Sequence, residues 1–184
     1  MITVTGFMAI VGGGTALGGL LIGSSAHLAR PSILPAALHR HAVLPTSTVA
    51  LAAIGITAIE IGLGVAGVIA LVVGFTETLA IILWATAALF TCYAGYARHV
   101  TARRDGGPCG CSHSEVPMDD WITARAIAFA VCAAAGALTA GALPTGTSQW
   151  TITVLATAAL TLTLWQLPAA MRHINPTGAT AWTS

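Results

Sequence analysis

The chain has 184 residues, of which 56% are apolar and only 7% are charged, with a formal net charge of +1 and no lysine. Soluble domains carry about 25% charged residues, so this inventory cannot furnish a water-exposed surface and excludes a soluble fold. The near-neutral balance also excludes a basic nucleic-acid-binding face, leaving the lipid bilayer as the expected surrounding.

A transmembrane helix needs roughly 20 apolar residues, and five of them with short loops use up the whole length. The expected fold is therefore all-α, a polytopic membrane helix bundle of four to five transmembrane helices, one membrane domain over residues 1–184. The first span is expected over about residues 4–25. Met1 to Phe7 carry no positive charge and no small-residue cleavage site stands out before His27, so this stretch reads as a retained helix rather than a removed signal. Gly14 and Gly18 within it form a GxxxG pair, which lets helix backbones approach closely in lipid. The pair serves packing inside the bundle or a dimer face.

A polar connector follows, with His27, Arg30, Pro31, Pro35, His39, Arg40, His41 and Pro45. Within it, Ile33 to Leu38 suits a short interfacial helix. The second span is expected over about 46–73, and a tight turn at Gly74-Phe75-Thr76 leads to the third over about 77–96, with Thr76 as its N-cap. The longest polar stretch, Arg98 to Asp120, separates it from the fourth span, about 121–143. Pro144 and Gly146 then punctuate the turn into the fifth, about 150–170. Trp121, Trp150 and Trp165 lie near span ends, where interfacial anchors collect.

Arginine placement sets an expected orientation. Arg30, Arg40, Arg98, Arg103, Arg104 and Arg172 all fall on one side of a five-span bundle, with Arg125 one turn into the fourth span on that same side. The other side carries none. Under the positive-inside rule the protein sits in the cell membrane as a multi-pass chain, N-terminus outside and C-terminus cytoplasmic.

Cys109-Gly110-Cys111 is the most informative motif. Two thiols separated by one residue close a disulfide only with a distorted backbone, and Gly110 supplies the conformational freedom. A strained, exposed disulfide is easily reduced and suits exchange better than scaffolding. Arg103, Arg104 and protonated His113 would favour the thiolate, while Asp105 and Glu115 oppose it. Cys109, Cys111 and His113 also offer soft metal ligands, but structural zinc takes four at regular spacing, so no metal is expected; incidental cysteines are a third reading. Cys92 and Cys132, inside the third and fourth spans, are either a relay pair or small buried residues.

Glu60 stands mid-span between Ile59 and Ile61. An ionisable group at that depth costs on the order of 3 kcal/mol, so it is expected to face the bundle interior, pair, or stay protonated. His27 and Arg30 are candidate partners if the connector folds inward. Arg125 either snorkels to the interface or holds the cysteine loop. The scattered His39, His41, His99 and His173 fit solvated helix ends.

Taken in order, these features resemble the MauE/DoxX group of redox-associated membrane proteins, MauE more closely. The resemblance rests on the glycine-rich first span, the connector from His27-Leu28-Ala29-Arg30-Pro31 to Leu44-Pro45, and Glu60-Ile61-Gly62 in span two. It continues in Pro108 to Cys111, then Trp121 and Arg125, and covers roughly residues 5 to 142. Ser112-His113 stands where the family loop usually has Phe-Gly, and Ala126 where Asn usually follows the arginine. The resemblance implies thiol-disulfide chemistry at Cys109 and Cys111, supported by Glu60, Arg125, Trp121 and His113, with a thioredoxin-like partner and no tightly bound cofactor. It implies a part in maturing exported proteins, as in methylamine utilisation. Such a role acts on the outer side, whereas the arginines place the loop inside; a relay through Cys92 and Cys132, or the opposite orientation, would reconcile the two. The competing class is a non-catalytic accessory or assembly subunit of a larger membrane complex.

Overall fold

The computed structural model describes residues 4–104, 119–142 and 147–174. Among these residues all regular structure is helical: α1 (Val4–Ala29), α2 (Ile33–His41), α3 (Val49–Val73), α4 (Thr76–Arg104), α5 (Asp120–Thr139) and α6 (Thr147–Ile174). Short 3-10 turns at Thr46–Thr48 and Ala140–Ala142 extend α3 backwards and α5 forwards. All five helices other than α2 are long and apolar enough to cross a membrane, so the chain is an all-α polytopic bundle. The nine-residue α2 is the short connector helix, and it ends in a left-handed residue, Ala42, whose φ is 47°.

Local chemistry explains the helix ends. Gly74 adopts φ +83°, a conformation that glycine takes without steric cost, and its N–H bonds Ala70 O at 3.0 Å. Phe75 N–H reaches the same carbonyl at 2.9 Å, which closes α3 and reverses the chain directly into α4. Just before α5, Asp119 accepts a bond from Ile122 N–H at 3.0 Å and caps the helix. Three membrane-spanning helices run past their expected ends, one of them α6, which continues beyond Ala170 to Ile174. α1 continues beyond Ser25 to Ala29, so His27 belongs to the helix and not to the connector. α4 continues beyond Tyr96 to Arg104.

α1 is the central helix and the most buried of the five, packed against α5, α3 and α6, while α4 packs chiefly on α5. Its glycines make that position possible. A Cβ on Gly136 would lie 2.6 Å from the backbone nitrogen of Gly13, and one on Gly12 would lie 2.8 Å from the carbonyl oxygen of Cys132. α1 and α5 therefore meet backbone to backbone, in the way small residues permit in lipid. Gly14 and Gly18 receive the side chains of Thr157 and Thr161 from α6. The GxxxG pair thus packs inside the chain's own bundle, and the dimer face expected as its alternative is filled by α6.

One apolar cluster near the α3–α4 turn joins Ile10, Leu17, Leu71, Leu79 and Leu83. A second, at mid-depth, stacks Phe90 on Phe129 around Ala16 and Leu20. At the opposite end Leu34 and Leu38 of α2 pack on Val49 and Ala53 of α3. Leu51, Ile54, Val72, Ile81, Leu138 and Leu155 are exposed on the outside, the surface that lipid tails cover.

Gly136→Ala forces a Cβ into the α1 backbone, and overpacking of this kind costs about 1–3 kcal/mol. It should lower the melting temperature of the purified protein in detergent. Gly62→Ala, where a Cβ meets nothing within 4 Å, should leave melting unchanged or raise it.

Candidate functional site

The helices alternate in direction, so the last turns of α1, α4 and α6 gather at the same end of the bundle as α2 and the first turns of α3 and α5. That end carries the arginines. Between these segments lies a cavity of about 440 Å³, inside the range of small-molecule sites, roughly 300–1,000 Å³. Its walls are largely apolar: Leu34 and Leu38 of α2, Ile56 of α3, Leu89 and Phe90 of α4, Ile122 and Phe129 of α5. A few polar groups interrupt them.

Glu60 is the deepest. It is 4% exposed, and its Oε1 accepts a hydrogen bond from the Tyr93 hydroxyl at 2.8 Å. Oε2 lies 3.6 Å from Nε2 of His27, itself 5% exposed, and has no hydrogen-bond partner among the described residues. The expected inward pairing therefore occurs, but through the extra turn of α1 and not through an infolded connector. Gly23 leaves the room: a Cβ there would sit 3.8 Å from a Glu60 oxygen and 3.8 Å from the ring of Trp165.

Three further polar groups line the cavity. Arg125 is 8% exposed; its guanidinium carbon stands 4.8 Å over the Trp165 ring, and Nη1 donates to the Trp165 carbonyl at 3.4 Å. It is turned into the bundle and clamps α6 to α5, a role different from snorkelling. Pro168, one turn on, cannot donate to the Leu164 carbonyl, so α6 lacks one backbone hydrogen bond next to the carbonyl that Arg125 bonds. Trp165 is correspondingly a ring for a cation more than an interfacial anchor. His41 is the other correction to the sequence reading. It was expected at a solvated helix end, yet it is 2% exposed, with Nδ1 2.7 Å from the Tyr96 hydroxyl. His39 and His99 are exposed as expected, and the His173 side chain lies outside the described residues.

The cysteines divide. Cys109, Cys111 and His113 lie outside the described residues; the helix ends that their segment joins, Arg104 and Asp120, belong to the cavity end of the bundle. Cys92 and Cys132 are free thiols, the first exposed on α4 beside Tyr93 and the second half-buried on α5. Trp121 is half-buried at the start of α5. Sequence reasoning missed Tyr93, Tyr96, His41 and the Phe90–Phe129 stack, whose ring centroids are 5.0 Å apart. A signal was present, since the chain's two tyrosines stand three apart, which is one face of one helix.

The family model described as methylamine utilisation protein MauE matches residues 5–140. The chain belongs to the MauE family. The match runs from α1 into the 3-10 turn after α5 and so takes in Glu60, Tyr93, the cysteine segment and Arg125, but not α6. No curated protein and no solved structure matches the chain.

Removing the Tyr93 hydroxyl leaves a buried carboxyl oxygen without its donor, a loss of about 1–3 kcal/mol. Tyr93→Phe should therefore destabilise the protein. The double variant Tyr93→Phe, Glu60→Leu should lose less than the sum of the two single variants. Thermal unfolding of the four proteins in detergent measures that coupling.

Proposed function

We propose that this MauE-family chain is a membrane thiol-disulfide redox protein in which Cys109 and Cys111 cycle between dithiol and disulfide. A thioredoxin-like protein exchanges electrons with the pair, in support of the maturation of exported proteins. The observation that carries this reading is the Cys-Gly-Cys triplet falling within the family match. The chemistry is thiolate attack on a disulfide sulfur through a mixed disulfide: one S–S bond breaks as another forms, and the leaving thiolate takes up a proton. In this reading the arginine-bearing end, and this segment with it, faces the cytoplasm, as the positive-inside rule favours. Reducing equivalents bound for exported substrates must then cross the bilayer, and Cys92 and Cys132 are the thiols available for a relay.

The alternative is a non-catalytic accessory subunit of a larger complex. It loses one of its supports, because the glycine stripe that would serve as a contact face is occupied by Thr157 and Thr161.

Intact cells labelled with a membrane-impermeant maleimide, before and after reduction, test the reading on wild type, Cys109→Ser and Cys111→Ser. The expected result is no labelling at these positions until the cells are permeabilised, and then labelling that increases on reduction. Either serine substitution should abolish function. Free thiols under every condition, with a functional serine variant, would leave only the accessory subunit. Labelling of intact cells after reduction would keep the redox function and reverse the orientation.

A further inference from the structure

We propose that the cavity at the arginine-bearing end takes up a lipid-soluble organic ammonium, its N–H on Glu60 Oε2 and its alkyl body along the apolar wall. Oε2 is buried at that wall without a hydrogen-bond partner among the described residues, whereas Oε1 accepts from the Tyr93 hydroxyl at 2.8 Å. His27 Nε2 stands 3.6 Å from Oε2, beyond hydrogen-bond length. An ionised carboxylate only accepts, so the complement of Oε2 is a donor. A buried oxygen left without one costs free energy that a donor recovers, and a charged donor recovers more. A neutral amine meeting a protonated carboxyl group reaches the same pair when one proton passes from oxygen to nitrogen.

Aromatic rings gather around the same carboxyl group. A Cβ on Gly23 would lie 3.8 Å from Oε1 and 3.8 Å from the Trp165 ring, which places ring and carboxyl side by side. Tyr93 meets Phe90 edge to face at 6.0 Å, and Phe90 stacks on Phe129 at 5.0 Å. A carboxylate among aromatic rings recognises organic cations, by ion pairing and by attraction to the ring faces. An alcohol would donate one bond and use neither. An anionic amphiphile would meet the charge of Glu60, and Arg125, the arginine in the wall, is already held by the ring and the carbonyl of Trp165.

The rest of the cavity sets the apolar body of the ligand. Leu34 and Leu38 of α2, Ile56 of α3 and Leu89 of α4 offer aliphatic surface alone. Cys92, Val43 and Leu44 line the same cavity and are also exposed on the outside of the bundle. The apolar wall therefore continues to the surface that lipid covers, and a ligand dissolved in the bilayer reaches Glu60 without passing through water. A volume of about 440 Å³ takes the ammonium head and the first part of an alkyl chain, whose end stays in the bilayer.

The test is titration of the purified protein in lipid nanodiscs with tritiated N,N-dimethyldecylamine, after subtraction of the uptake by empty nanodiscs of the same lipid. Saturable binding is expected, displaced by the unlabelled amine. Decanol and decanoate carry the same chain without an ammonium, and decyltrimethylammonium has no N–H to donate; each should compete about tenfold more weakly than the amine. Trimethylamine, the head without the chain, should also compete more weakly. Glu60→Gln keeps an oxygen for the Tyr93 hydroxyl and puts an amide NH2 in place of Oε2. It should melt like wild type and bind the amine about tenfold more weakly. If that variant does not fold, the order of competition on wild type decides alone. No saturable binding above empty nanodiscs, competition by any of the four other compounds as tight as by the amine, or unchanged affinity in folded Glu60→Gln would overturn the site. The thiol reading stands or falls separately, on the labelling experiment.

Discussion

One carboxyl group placed inside a bilayer constrains most of what surrounds it. Glu60 sits on a helix of otherwise apolar residues, where an ionisable group costs on the order of 3 kcal/mol, and it has to be turned away from lipid and given partners. Tyr93 provides a hydroxyl from α4, His27 an imidazole from α1, and Gly23 the space between them. Three helices are thereby brought into register at one depth. One carboxyl oxygen, Oε2, is left without a hydrogen-bond partner among the described residues.

The rest of the bundle is organised so that this register can exist. Hydrophobic burial does not hold helices together in lipid; close packing does. The α1 glycines allow α5 to touch its backbone and α6 to seat two threonines in its groove. That draws the arginine-free ends tightly together, while at the opposite end Arg125, Trp165, Phe129 and α2 line the cavity. Close packing at one end and a cavity at the other place the ionisable side chains Glu60, His27, His41 and Arg125 together at the cavity end.

Much of the fold was legible because the signals are one-dimensional. Apolar length gives the spans, Gly74 the turn, and Ile33 to Leu38 the short helix. Glu60 was legible for the same reason, as a charge where charges are costly. What could not be read was which residue meets which. His27 was assigned to the connector because nothing in the local sequence ends α1 at Ser25 or continues it to Ala29, and its meeting with Glu60 depends on that extra turn. His41 reads as polar and terminal, but Tyr96 draws it into the wall across 55 residues of chain. Trp165 and Arg125 are 40 residues apart, and no spacing rule links residues so separated. Tertiary contacts of this kind follow from helix rotation, which packing decides.

The proposal concerns Cys109 and Cys111, which lie within the residues matched by the family model, between two helices whose near ends, Arg104 and Asp120, stand at the cavity end of the bundle. The claim on which it rests is that Cys109 and Cys111 act as a single two-electron couple. Equilibrating the purified protein in buffers of graded thiol-disulfide ratio, then alkylating and weighing it, tests this directly. The account predicts that both thiols disappear together in one two-electron transition, lost in Cys109→Ser. Two cysteines that stay free at every ratio, or that are modified independently of each other, would contradict it.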